Sequence, residues 1–342
     1  MLGLTEKQKA QLYSFRTCFI EYPEITEIYS IFERMRLNKS LGGEQESLLL
    51  TGETGSGKTA LINNYLSKHQ ILTSSTFSYQ PILNTRIPPK VNELSTMLQL
   101  LKDLNTQTSS RTQRNRNELA LAESVVVQLK RKKTELIILN EVQELIEFSS
   151  VKDRQAIANT LKYISEEAQV SFVLVGMPYS ELLAEESQWN SRLSWRRELR
   201  YFQLSKNKAH FIKVIKGLAN RMGFSEPPEL HKKEIAIALF SICRGEFRLL
   251  KHFLEDAMLT CFLAGRATVD LEVLAETYQL KYVQAASNLN PFLNPEGIKI
   301  SELSTPTKFN PYALKEEDKI IRRRFTDALP LNLLLSKSGL KT

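Results

Sequence analysis

Three short apolar runs, 47-SLLLT-51, Leu136–Leu139 and 170-VSFVLVG-176, and a further strand candidate, 76-TFSYQPIL-83, punctuate the first two hundred residues. The continuous apolar character of the runs is that of strands buried on both faces, and prolines are expected to end the candidate 76–83. Between them the apolar residues recur every three or four positions, which predicts helices. One such pattern runs through Ile25, Ile28, Ile31, Phe32 and Met35, and is broken by LNKSLGGEQE. Others span about 60–69, 91–104 (Val91, Leu94, Met97, Leu98 and Leu101 on one face), 118–131 and 152–168. Strand and helix therefore alternate, which predicts an α/β fold with a parallel sheet flanked by helices. After Arg200 only helical patterns follow, at 205–222, 231–243, 246–264 and 270–285. Beyond about 287 the chain is rich in proline and asparagine and reads as an extended arm. The expected division is 1–46 as an N-terminal helical segment, 47–203 as the α/β domain, 204–286 as a helical lid and 287–342 as the arm. The arm's basic and then apolar end suits either packing on its own chain or docking on a partner.

Composition narrows the class. With 42% hydrophobic and 25% charged residues, the 342-residue chain resembles an ordinary globular protein. No run approaches the ~18 apolar residues of a membrane span, and the first fifteen residues lack a signal peptide's apolar core, so a cytoplasmic protein is expected. The three cysteines are scattered and fit neither a metal site nor a disulfide framework. The net charge of +8 is concentrated: Arg192–Arg221 holds nine basic residues and one acidic. A second cluster, Arg111–Lys133, has seven basic residues against two acidic. Such blocks suit a polyanion, and a solvated helix face is the competing reading.

The strongest chemical signal is 52-GETGSGKT-59, a match to the phosphate-binding loop G-x-x-x-x-G-K-[ST]. Gly52, Glu53, Thr54, Gly55, Ser56 and Gly57 form the turn, whose N–H groups converge on phosphate. Lys58 is placed to reach the β- and γ-phosphates of ATP, and the Thr59 hydroxyl to ligate Mg2+. About 80 residues on, the strand Leu136–Leu139 runs into Asn140 and Glu141. The first position commonly holds an acid that binds the metal through water, and the second the general base. Asn140 supplies only an amide oxygen there, so hydrolysis is expected to suffer more than binding, while Glu141 stays available as the base.

In order along the chain stand the phosphate loop, LIILNE, 173-VLVGMPYSELL-183, 189-WNSRLSWRREL-199 and 245-GEFRLLKHFLEDA-257. Together with 19-FIEYPEITEIYSIFERMR-36 they resemble AAA+ ATPases. More closely, they resemble the transposition regulators of Tn7-like elements, the TnsC/TniB group related to the MuB and IstB proteins. The resemblance covers about residues 15–285. It implies an AAA+ P-loop NTPase followed by a lid, with Arg248 as the sensor-2 arginine. Arg192 is the implied arginine finger reaching a neighbour's ATP, with Arg196 and Arg197 as alternatives. The sensor-1 region carries Gly176-Met177-Pro178 instead of a polar side chain, which leaves Tyr179 or Ser180 for that role. The group forms rings or helical filaments around double-stranded DNA, contacted through the loop after the second strand and the polar insert that follows. Here those contacts fall on Arg86, Lys90, Thr108, Ser109, Arg111 and Arg114. Implied partners are duplex DNA, further copies of the chain, transposase subunits and a target-selection protein. Two other readings fit the same motifs: a cellular clamp or helicase loader, and a nucleotide-gated binding module with little hydrolysis.

Overall fold

The structure, a computed structural model, describes residues 3–69, 71–73, 78–105, 118–282 and 290–338. Five parallel strands form the central sheet: β1 (Leu48–Thr51), β2 (Ile82–Arg86), β3 (Leu136–Asn140), β4 (Ser171–Gly176) and β5 (Trp195–Glu198). Their order is β2-β3-β4-β1-β5. Consecutive side chains of one strand serve opposite faces. Leu48, Leu50, Ile138 and Val173 enter one core, and Leu49, Ile137, Leu139 and Leu174 the other. This explains the continuous apolar runs.

The periodic patterns form helices, and a first helix that no pattern marked precedes them. The helices are α1 (Glu6–Thr17), α2 (Pro23–Ser40), α3 (Lys58–Ser67), α4 (Glu93–Asp103), α5 (Glu118–Arg131) and α6 (Val151–Ala168). Pro23 opens α2, where its fixed φ suits a first turn and its missing N–H is no loss. The first core holds α2, α3 and the helices after Arg200; α4, α5 and α6 fill the second. The later helices are α7 (Leu204–Arg221, kinked at Asn207), α8 (Lys233–Cys243), α9 (Phe247–Leu263) and α10 (Leu271–Lys281). Phe15 of α1 and Ile25 of α2 share one apolar cluster with Phe211, Phe240 and Phe253 of these helices.

Two details depart from expectation. The run 76–83 does not form one strand: the sheet strand begins after Pro81 and continues to Arg86. Ser78–Tyr79 pairs with Leu72–Thr73 in a small hairpin, outside the central sheet. Pro81 has no N–H, but its carbonyl accepts from Glu135 (2.7 Å) and Leu136 (3.2 Å), so it starts the pairing with β3 without a lost donor. On α4 the buried face is Met97, Leu100 and Leu101, with Leu94 38% exposed.

Beyond Asn290 the arm folds back on the chain. Leu303–Thr305 pairs antiparallel with Arg324–Phe325, and Lys308–Phe309 with Ile320–Ile321. It ends in α11 (Leu331–Ser338), which packs on α7 and buries Leu334. No described helix is long and apolar enough to cross a membrane.

Candidate functional site

The site lies at the carboxyl ends of β1, β3 and β4, where a parallel sheet leaves a crevice. β1 ends at Thr51, the chain turns through Gly52–Gly57, and α3 starts at Lys58. Gly57 has φ +107°, a conformation that any side chain would strain. At Gly55 a Cβ would run into the Glu246 carboxylate. The turn thereby presents the N-terminus of α3 to a cavity of about 440 Å3, lined by Thr54, Gly55, Gly57, Lys58, Thr59, Asn140, Glu141, Gln143 and Arg248 among others.

The Lys58 ammonium folds back onto the loop and donates to the carbonyls of Gly52 (2.6 Å) and Glu53 (3.0 Å). Burial pushes it down to about 8, against the pull of Glu141 and Glu53, and Arg248 adds to the depression. A cation this poorly solvated gains from any anion that enters. Ser56 Oγ is buried without a partner, and the Thr59 hydroxyl is exposed at the cavity. The glycine cradle, the under-solvated lysine and the orphaned hydroxyl all fit a polyphosphate, and Thr59 fits its magnesium.

Asn140 ends β3. Its Nδ2 donates to Asn84 Oδ1 and to the Thr85 carbonyl on β2, both at 2.8 Å. That fixes the amide's orientation and leaves Oδ1 as the acceptor end of a side chain that lines the cavity. Glu141 follows with φ +59°, a left-handed backbone that turns the chain sharply and costs of order 1 kcal/mol or more. Its exposed carboxylate accepts from Gln143 Nε2 at 2.6 Å, while Gln143 Oε1 accepts from Met177 N–H at 3.3 Å.

Gln143 was not among the expected residues. It is 8% exposed and links Glu141 to the end of β4. Neither alternative at the sensor-1 position lines the cavity. Tyr179 donates to Glu147 and stacks on Phe309 of the arm, and Ser180 Oγ is buried without a partner. Ser180 Oγ would be the nearer to a Cβ on Gly176, but of the polar side chains beside that glycine Gln143, whose Oε1 would sit 3.1 Å away, is the one that lines the cavity. The signal in the sequence was its place two residues after Glu141.

Arg248, in the first turn of α9, lines the cavity, and its backbone N–H donates to the Gly55 carbonyl at 3.0 Å. Lys251 and His252 lie one turn on and also line the cavity. Their spacing from Arg248 puts them on its helix face, a cue the sequence contained. Lys251 donates to the carbonyls of Arg16 (2.8 Å) and Cys18 (2.6 Å), pinning α9 to the end of α1. Burial lowers its pKa.

The other arginines lie away from the cavity. Arg192 pairs with Glu166 (3.1 Å), Arg196 lies 4.0 Å from Glu181, and Arg197 pairs with Glu27 (2.8 Å). Several charges of the basic block are thus met by carboxylates of their own chain. Arg86 is the exposed last residue of β2, in register with Asn140 and therefore a strand residue rather than a loop residue. Its charge offsets the rise that burial and the neighbouring Glu147 and Glu141 impose on Glu144. Lys90 is exposed after Pro88 and Pro89. Thr108, Ser109, Arg111 and Arg114 lie outside the described residues.

Glu53 points away from the cavity. Its carboxylate is 2% exposed and accepts from the N–H (2.5 Å) and hydroxyl (3.0 Å) of Thr307 in the arm. It shapes the loop from behind and does not line the phosphate side.

A phosphate loop after β1, a strand-end glutamate on β3, the order β2-β3-β4-β1-β5 and a helical lid over the crevice define an AAA+ ATPase fold. The family model described as bacterial TniB protein matches residues 12–202, more than half of the chain, and the chain belongs to the TniB family. No curated protein matches it. Among solved structures it is similar to the ORC2 protein of Aeropyrum pernix in ADPNP–ADP complexes. The TM-score is 0.60 and the identity 16%, over 83% of this chain and 74% of that one. The ORC1 protein of Aeropyrum pernix in complex with DNA gives TM-score 0.55 and 14% identity, over 77% and 66%. Cdc6p from Pyrobaculum aerophilum gives 0.53 and 12%, over 96% and 97%. At such identities the likeness concerns the fold.

Proposed function

We propose that the protein is an ATP-hydrolysing, DNA-associated assembly regulator of a transposition machinery. Membership of the TniB family supports the transposition context. The observation that carries the nucleotide reading is the cradle at Gly52–Thr59 facing Glu141 across one cavity. Lys58 and the N-terminus of α3 bind the β- and γ-phosphates, and Arg248 closes on them from the lid. Thr59 and the Asn140 amide oxygen hold magnesium, which when bound neutralises phosphate charge. Glu141 takes the proton of the attacking water, and Gln143 orients Glu141.

Arg192 acts in trans on the ATP of a neighbouring subunit, releasing Glu166 to do so. Head-to-tail contacts of that kind build a ring or a filament, with ATP in each interface. Arg86, Lys90 and the segment with Thr108, Ser109, Arg111 and Arg114 contact duplex phosphates, so binding is sequence-tolerant and salt-sensitive. The assembled form then engages transposase subunits and a target-selection protein.

A second reading, a nucleotide-gated binder with slow turnover, is favoured by one observation. Asn140 places an amide where an acid would sharpen the metal site. The two readings share a binding test. Duplex DNA of unrelated sequences should be retained with ATP and lost with Lys58→Ala or raised salt. Equal retention by wild type and Lys58→Ala would sink both.

A further inference from the structure

Two carboxylates are buried side by side behind the phosphate loop, and neither lines the cavity. Glu53 is 2% exposed, and Glu246, the residue before α9, is 6% exposed. Buried carboxylates are tolerated only with a cation and donors to hand. Tyr201 donates to Glu246 Oε2 (3.1 Å) and to the Thr54 carbonyl (2.5 Å). Lys58 attracts Glu53 from within the loop, and the remaining compensation comes from the arm. Thr307 satisfies both oxygens of Glu53. The Arg323 guanidinium lies 3.1 Å from Glu246 Oε2 and 3.7 Å from Glu53 Oε2, and donates to the Thr54 carbonyl at 3.4 Å. It also lies over the Tyr201 ring, 5.3 Å from the centroid, and is 29% exposed. Glu246 in turn fills the space that a side chain on Gly55 would need. One cation of the arm therefore ties together the phosphate loop, the start of the lid helix and the segment after β5.

We propose that Arg323 is a positioning residue of the nucleotide site, and that seating of the arm hairpin sets nucleotide affinity. This rests on the nucleotide reading above. Without Arg323 the two carboxylates repel and lose their common cation. Glu246 then moves off Gly55, and the loop's N–H groups lose the convergence that binds phosphate. Linkage is reciprocal: if the seated arm tightens nucleotide binding, nucleotide tightens the arm by the same factor. A partner that captures the hairpin would loosen the nucleotide by that factor too.

The test uses the full chain, with a fluorescent ADP analogue for affinity and amide hydrogen exchange for the arm. Arg323→Ala should weaken binding about tenfold or more, and Arg323→Lys, which keeps the charge but not the fork, by less. In the wild type, ADP should slow exchange at Thr307 and along both hairpin strands, an effect that a merely structural arginine would not produce. Affinities of Arg323→Ala and wild type within twofold of each other overturn the proposal. So does ADP protection of the phosphate loop without protection of the hairpin. If Arg323→Ala does not fold, the wild-type exchange comparison decides alone. A wild type that binds no ADP analogue overturns the nucleotide reading and this inference together, whereas tight wild-type binding matched by Arg323→Ala overturns only this one.

Discussion

Lys58 ties its charge to the nucleotide. Its folded-state value of about 8 lies below the ordinary 10.5 because burial penalises the ammonium. Bound phosphates favour the charged form, so binding above that value takes up a proton. Nucleotide affinity should therefore be flat below pH 8 and fall as pH rises through it, by up to about tenfold per unit. Lys58→Arg, charged throughout, should flatten the profile; titrations between pH 7 and 9.5 check this. Asn140→Asp exchanges two donated hydrogen bonds for a carboxylate facing the Thr85 carbonyl. The nucleotide-free protein should lose about 1–2 kcal/mol of stability, while phosphate release speeds up because the metal gains a full charge. A rate that does not rise would contradict the role given to the amide. Gln143→Ala should lower kcat about tenfold with KM for ATP within twofold, and change little in a Glu141→Gln background. Additive losses would mean that Gln143 acts elsewhere. The loop Gly52–Thr59 and the strand end at Glu141 were legible in the sequence from their spacing, though Glu53 turned out to face the arm and not the cavity. Gln143 was not, because its importance depends on the missing side chain of Gly176 across the sheet.

Among the elements, period and continuity carried most of the reading. The continuous runs became the inner strands because both faces are covered, and the three-to-four spacing of Ile25–Met35 became α2. The second strand lies later than the run 76–83 suggests, because Pro81 divides that run into a hairpin strand and a sheet strand. Proline can equally start an edge strand, where no N–H is needed from it. Arg86 moved from loop to strand for the same reason. The lid's attachment could not be read at all: Lys251 reaches carbonyls of residues more than two hundred positions away. Lys251→Ala removes two charge-assisted hydrogen bonds and should cost ~2 kcal/mol of stability. Thermal unfolding with and without nucleotide measures it, and on the proposed function, in which nucleotide spans loop and lid, the loss should be smaller with nucleotide.

At the scale of the whole molecule, the sequence left the arm between two fates, self-packing and partner docking. The fold shows self-packing, with Thr307 and Arg323 meeting Glu53 and Glu246 among its polar contacts and Phe292, Ile300 and Leu334 among its buried apolar ones. Charge counting overstated the free basic surface, since Arg192, Arg196, Arg197 and Arg200 each meet a glutamate. A pairing across space is invisible in a linear count. The central claim, that nucleotide drives assembly on duplex DNA, is tested most directly by electron microscopy. The protein is imaged with double-stranded DNA and ATP, with a non-hydrolysable analogue, and without nucleotide. Rings or filaments on the duplex with either nucleotide, and none without nucleotide or with Lys58→Ala, are the predicted result. Bare duplexes under all conditions, or equal assembly without nucleotide, would contradict it.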